Sequence, residues 1–488
     1  MTTARSTAAP RRITCAHVLG PDGPMPGEQV IALHDGKIQS IALTTEAAEP
    51  IMALPALVNA HDHGRAVRTS SIGADAKPLE SWIHYLALFP AVDPYVAACV
   101  AFASSALGGA GIVMNHYTRV QGFTDLPTEL AEVSRAARDV GVRAGLAVAM
   151  RDRNPLVYGP SEPVLAALPP DVRAEIAQRF TRPPLSPLSP RDYMTLVDEI
   201  VSAADGPKFD VQYGPNGVQW CSDALLQATA DASARTGRRV HMHLLETKYQ
   251  RQWCDANYPG GVVRMLDEIG LLSPRLTLAH CVWARPDELE LLAERGVVIS
   301  VNTSSNLHLH SGLAPMTRMW TAGCRIALGI DGKAFDDDND ALRELRLSHL
   351  LHAGSGFDQV VTRHRALHES VSNGRFAVTN IASDGGLRDR ADADMLLLDW
   401  NALNDDALRS DLDPINLLFS RATARHIREV IVAGHTIVRD GHVAGIDFTA
   451  ARQEILAQMR AGMPSGQNLA GALAALDGVI AASLCGCC

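Results

Sequence analysis

Eight short apolar runs, each separated from the next by a longer stretch, constrain this chain more than any other feature. The runs span residues 56–61, 111–116, 142–150, 209–213, 239–245, 276–282, 297–301 and 326–330. Runs that are apolar throughout, rather than alternating, fit strands buried on both faces of a parallel sheet. Between them, residues 223–236, 286–295 and 314–322 carry helical periodicity, and Gly323 offers a C-terminal cap to the last. Strand–helix alternation alone fits an open doubly wound sheet as well as a closed barrel. The count of eight favours an α/β fold of the (β/α)8 barrel type.

The two ends of the chain read differently. Short β runs cover 12–19, 29–33 and 37–43, with a hairpin turn at Asp35-Gly36. After about residue 384, runs at 393–399, 427–432 and 435–438 are again β, with turn chemistry at Gly434 and Asp440-Gly441. The expected organisation is a small β-sandwich built from residues 1–53 and 385–450 around a barrel of 54–384. A helical extension occupies 451–488: a helix over 451–463, a break at Pro464-Ser465-Gly466 and an Ala-rich segment to the end.

Composition narrows the partners. Lys and Arg number 44 against 54 Asp and Glu, a formal charge of −10, which is a poor match to the phosphates of nucleic acid. No run of 18 apolar residues is present, so no membrane span is expected. The N-terminal stretch lacks the apolar core of a secretory signal. Of nine cysteines, Cys15, Cys99, Cys221, Cys254, Cys281 and Cys324 are scattered, and Cys485, Cys487 and Cys488 crowd the end as an expected frayed tail. This pattern suits a reducing, cytoplasmic setting.

Chemistry concentrates where the apolar runs end. His61-Asp62-His63 closes the first, and residues i and i+2 of a strand share a face. One such pair is a weak signal, since His241-Met242-His243 and His308-Leu309-His310 repeat the pattern. His243 is followed three residues on by Glu246, a carboxyl placed for general acid–base work or simply the start of a surface loop. His280 ends the sixth run, and Asp331 ends the eighth between Gly329 and Gly332. Four elements thus end in a metal ligand or an acid–base group, and barrels gather function on that rim. A catalytic zinc site wants three or four such nitrogen and oxygen ligands with a position left open. No H-x-E with P-C-x-x-C, Walker loop or dinucleotide fingerprint competes with this reading.

The motifs PALVNAHDH (55–63), VHMHLLET (240–247), LAHCVW (278–283), SSNLHLHSGLAP (304–315) and ALGIDGKAFDDDND (327–340) stand in a familiar order. So do DGKIQSIA (35–42), ADADMLLLD (391–399) and VIVAGHTIVRDG (430–441) near the ends. The chain resembles the metal-dependent amidohydrolase superfamily, within it the group of triazine hydrolases, cytosine and guanine deaminases and S-adenosylhomocysteine deaminases. The resemblance implies His61, His63, His243 and Asp331 as metal ligands. It implies Glu246, His280 and Asp331 as the catalytic groups. It implies zinc, with iron or manganese as alternatives. Two-metal relatives carry a carboxylated lysine on the fourth strand. Here that strand holds none and Lys208 only precedes it, so one ion per chain is expected.

The same resemblance places Asn216, Gln219, Trp220 and Asn306 on the substrate side, with His308 beside them. Arg65 can anchor a substrate carbonyl or make a structural ion pair. Trp82 and Trp220 can stack on a flat ring or serve as packing. His116 reads as a satisfied core histidine. Asp336, Asp337, Asp338 and Asp340 read as a solvated loop, since they lack the spacing of a calcium loop. The implied reaction is hydrolytic deamination of an aminated nitrogen heterocycle. Dechlorination or dealkylamination of a ring, or hydrolysis of an amide, urea or carbamate, are the alternatives at the same site. A barrel retained for binding alone is opposed by the full set of ligands. The expected partners are a small-molecule substrate and further copies of the chain, as a dimer or tetramer.

Overall fold

The computed structural model describes residues 10–181, 188–332, 338–409, 411–463 and 467–485. The barrel strands are β1 (Leu57–Asn59), β2 (Ala110–Tyr117), β3 (Arg143–Met150), β4 (Phe209–Pro215), β5 (Val240–Leu244), β6 (Leu276–His280), β7 (Val298–Val301) and β8 (Arg325–Leu328). They neighbour one another in chain order, and each pair is parallel. All eight expected runs are therefore present. Strands β5, β6 and β7 are buried at every residue, which is why they read as continuous apolar runs. The ladder closes through main-chain hydrogen bonds just past the strand ends: Ala60 N–H donates to Leu328 O at 2.8 Å and Asp331 N–H to His61 O at 2.9 Å. These bonds select the barrel over the open sheet.

Helices fill the connections as the periodicity requires. Asp223–Thr236 starts at Ser222, whose hydroxyl accepts from Leu225 N–H, and stops at Gly237 with φ 73°. Met316–Ala322 stops at Gly323 with φ 83°. Asp340 caps Ala341–His352, accepting from Leu342 N–H and Arg343 N–H, and its other oxygen accepts from Ala424 N–H at 2.9 Å. It is thus a folding residue and not a solvated one. Asp338 is exposed, 2.6 Å from Arg343 Nη2. Asp336 and Asp337 lie outside the described residues.

The chain ends meet in one mixed sheet. Its order is His442–Val443, His435–Arg439, Ile427–Val432, Met395–Asp399, Glu49–Pro55, Arg11–Gly20, Gln29–His34 and Lys37–Leu43, with Gly23–Pro24 paired to Arg11–Gly20. Glu49–Pro55 joins the two ends, antiparallel to Met395–Asp399 and parallel to Arg11–Gly20. The sequence reading misses this strand because prolines stand at positions 50 and 55. A buried ion cluster fastens the sheet to the barrel floor. Arg143 Nε lies 2.8 Å from Asp394 Oδ2, and Arg375 reaches both Asp394 and Asp392.

Helix Phe448–Gly462 begins before the expected start because Asp447 caps it, accepting from Ala450 N–H at 2.9 Å. The expected break at Pro464-Ser465-Gly466 lies outside the described residues. The Ala-rich segment forms a further helix, Gln467–Cys485. Cys487 and Cys488 lie outside the described residues, and the six scattered cysteines are buried and unpaired. No helix among the described residues is long and apolar enough to cross a membrane.

Candidate metal centre and active site

Four strand ends converge. His61 and His63 follow β1, His243 belongs to β5, His280 closes β6 and Asp331 follows β8. His63 Nε2 lies 3.3 Å from His243 Nε2 and 3.3 Å from Asp331 Oδ1, and His61 Nε2 lies 3.4 Å from the same oxygen. Each outer ring nitrogen is engaged. His61 Nδ1 is 2.7 Å from His241 Nε2, His63 Nδ1 is 2.9 Å from His116 O, and His243 Nδ1 is 2.7 Å from Asn216 O. His280 Nδ1 is 2.8 Å from Asn306 Oδ1. With Nδ1 as the donor, each Nε2 presents a lone pair to the cluster.

This donor set fits a divalent ion. His61 Nε2 and Asp331 Oδ1 are buried with no hydrogen-bond partner, a costly arrangement that a cation relieves. Two overlapping triads can ligate: His61, His63 and Asp331, and His61, His243 and His280. Burial, then the nearness of other imidazoles or of Arg65, holds His61, His63 and His243 well below the ordinary histidine value, in the neutral form that binds metal. Burial opposes ionisation of Asp331. The imidazoles of His63 and His280, the Arg65 guanidinium and the Ser305 hydroxyl (2.6 Å from Oδ2) outweigh it and hold the carboxyl below its usual range.

The backbone is bent to achieve this. Leu245, His280, Cys281 and Asp331 have φ of 51°, 77°, 47° and 61°, in the left-handed region that costs non-glycine residues about 1–3 kcal/mol each. Gly329 permits the close approach, since a Cβ there would stand 2.4 Å from Asn302 Oδ1 and 2.8 Å from His61 N. A carboxylate flanked by glycines was the legible part of this feature.

Glu246 sits beside the cluster, its Oε2 3.7 Å from His280 Nε2 and its Oε1 3.4 Å from Ser311 Oγ. Burial, with the Asp331 and Glu80 carboxylates adding to it, pushes its pKa up to about 7. A carboxyl so placed is neutral often enough near pH 7 to give a proton and acidic enough to lose one.

The other expected residues fall into two groups. Arg65 is occupied structurally: Nη1 donates to Asp331 O at 2.8 Å, and the guanidinium lies 4.7 Å above the Trp82 ring. Asn306 holds His280 through Oδ1, leaving its buried Nδ2 without a partner. Asn216 Oδ1 and both polar atoms of Gln219 are likewise buried and unpartnered, so these can still meet a ligand. Trp220 packs edge-on against Tyr158 at 5.8 Å, and His308 Nδ1 lies 3.8 Å from Asp75 Oδ1. His116 is only half satisfied: Nε2 is 3.0 Å from Gly214 O, while Nδ1 has no partner. Lys208 precedes β4 at the end remote from the site, where its carbonyl accepts from Ala144 N–H.

Sequence reasoning missed several contributors. His241 was visible as the first half of an H-x-H pair, and the same-face rule predicts that it accompanies His243. Ser305, Asn302 and Glu80 act across the chain and leave no local signal. Asn302 Nδ2 lies 3.3 Å from His280 Nδ1, and Glu80 accepts from Thr247 Oγ1 and from Tyr158 OH.

The chain is similar to known proteins in sequence and in fold. The model of the Amidohydrolase family matches residues 52–437. A 5'-deoxyadenosine deaminase of Methanosarcina barkeri is 28% identical over 427 residues, covering 86% of this chain and 89% of that protein. A 5-methylthioadenosine/S-adenosylhomocysteine deaminase of Caldicellulosiruptor saccharolyticus is 27% identical over 439 residues, covering 87% and 92%. Among solved structures, an adenosine deaminase from Xanthomonas campestris with bound zinc superimposes with a TM-score of 0.74 at 20% identity, covering 92% of this chain and 98% of that one.

Proposed function

The chain belongs to the amidohydrolase family, and from that premise we propose that it is a zinc-dependent aminohydrolase releasing ammonia from the purine ring of a 5'-substituted adenosine. Relatives named as deaminases of such nucleosides support the substrate class. The observation that carries the reading is Glu246, a buried carboxyl standing 3.7 Å across from His280 at the rim of the ligand cluster.

One ion is assigned to His61, His63, His243 and Asp331. A divalent ion held there supplies the Lewis acidity that makes water a nucleophile near neutral pH. His280 Nε2 and Asp331 Oδ1 are the two proton acceptors on the water side. His280, once protonated, faces the negative charge that develops at the reacting carbon. Glu246 delivers its proton to the adjacent ring nitrogen. The proton taken from water then passes to the exocyclic amine, which leaves as ammonia, and the proton of the hydroxyl left on the ring carbon returns to Glu246. Asn216, Gln219 and the Asn306 amide supply unpaired polar atoms to orient the ring.

The test is ammonia release by zinc-loaded protein from 5'-deoxyadenosine, methylthioadenosine, S-adenosylhomocysteine, adenosine, cytosine, guanine and aminated triazines. The reading expects turnover of the 5'-substituted adenosines, abolished by a chelator and by Glu246→Gln. Turnover of amides, ureas, carbamates or chlorinated rings, with none of the aminated heterocycles, overturns it.

A further inference from the structure

Helix Gln467–Cys485 lies beyond the residues that the family model covers, yet it packs on helix Leu79–Tyr85, in the connection that follows the ligand end of β1. Its buried face, Leu469, Leu473, Leu476 and Ile480, joins a cluster with Leu79, Trp82 and Tyr85. Its one acidic residue, Asp477, turns toward helix Leu79–Tyr85. Asp477 accepts from Lys77 Nζ at 2.9 Å, from Tyr85 OH at 2.9 Å and from Ser81 Oγ. Lys77 Nζ also lies 4.6 Å over the Tyr85 ring, so two of the three donors are packed on one another.

The clamped helix touches both sides of the chemistry. On one side, Trp82 lies beneath the Arg65 guanidinium, which grips the carbonyl of Asp331. On the other, Glu80 accepts from the hydroxyl of Thr247, the neighbour of Glu246, and from Tyr158 OH. Gln250 then links this group to Glu246, donating to Tyr158 OH at 3.3 Å and accepting from Glu246 N–H at 2.9 Å. We propose that Asp477 is a positioning residue. Through helix Leu79–Tyr85, the C-terminal helix holds the substrate-side wall and the backbone of the general acid in register. A packed surface extension would need only the apolar face, whereas three polar donors on one carboxylate fix the helix in rotation and along its axis.

The inference rests on the role given to Glu246, so its test has a readout that does not need the substrate. Hydrogen–deuterium exchange is measured on the full chain, zinc-loaded, for the native protein, Asp477→Asn and Tyr85→Phe, the last removing one hydroxyl only. Faster exchange is expected in 77–88 and in 246–251 for both variants, with a smaller change in Tyr85→Phe and unchanged zinc content. Steady-state rates should show kcat lowered about tenfold, KM less affected, and partial recovery in Asp477→Glu. Exchange changes confined to 467–485, or native exchange and native kcat in both variants, overturn the proposal. Failure of the deaminase reading would appear instead as no ammonia from any nucleoside by the native protein, with the exchange result intact.

Discussion

The Nε2 of His280 stands 3.7 Å from Oε2 of Glu246, and both side chains are sealed from solvent. A buried carboxyl facing an imidazole, near the carboxylates of Asp331 and Glu80, is costly to keep unless the arrangement serves chemistry. Its consequences can be measured.

In metal-free protein, Glu246 should weaken the fold as pH rises. Its folded pKa of about 7 lies above the ordinary 4.5. The fold's preference for the neutral carboxyl is therefore fully present below the unfolded value and is lost as pH rises through about 7. Glu246→Gln removes this loss. The variant should gain stability over the native protein by up to about 3 kcal/mol between pH 5 and pH 8. Thermal melts of both at the two pH values check this, and a constant difference contradicts it.

His241 should govern metal affinity without touching the ion. It takes the Nδ1 hydrogen of His61 at 2.7 Å with the two rings nearly parallel. His241→Phe leaves that hydrogen without an acceptor, and zinc affinity should fall about 10–100-fold. Competition against a chromophoric chelator measures it.

Ser305 should affect rate more than metal content. Its hydroxyl fixes Asp331 Oδ2 at 2.6 Å and helps keep the carboxyl ionised. Ser305→Ala should retain zinc and lose kcat by about tenfold, the scale of one charge-assisted hydrogen bond. Metal analysis beside steady-state kinetics distinguishes this from loss of the ion.

Asp394 should matter to stability alone. Burial opposes its ionisation, but the guanidinium groups of Arg143 and Arg375 hold it below its ordinary value. Asp394→Ala leaves both of these buried cations with Asp392 as their remaining carboxylate at the barrel floor, away from the ligand cluster. The loss should be up to about 3–5 kcal/mol. Calorimetry reads it, and folded variant should keep its zinc.

The barrel was legible because parallel strands buried on both faces leave unbroken apolar runs, and the ligands because four of those runs end at or beside a His or Asp. What was not legible depends on contacts between distant segments. Closure rests on the hydrogen bonds of Ala60 and Asp331 to the opposite strand end. Glu49–Pro55 hid behind its prolines, although it is the strand that joins the two chain ends. Asn306, read as facing substrate, spends one amide oxygen on His280, and Arg65 is engaged with Asp331. The roles of His241, Ser305 and Asp477 arise only once the strand ends and the C-terminal helix are brought together.

The most direct measurement is mass spectrometry of the product formed from 5'-deoxyadenosine by zinc-loaded protein in oxygen-18 water, native against Glu246→Gln. The expected product has lost ammonia and carries one solvent oxygen on the ring carbon that bore the amine, and the variant forms it at least about a hundredfold more slowly. An unchanged ring, or a variant as fast as the native protein, would contradict it.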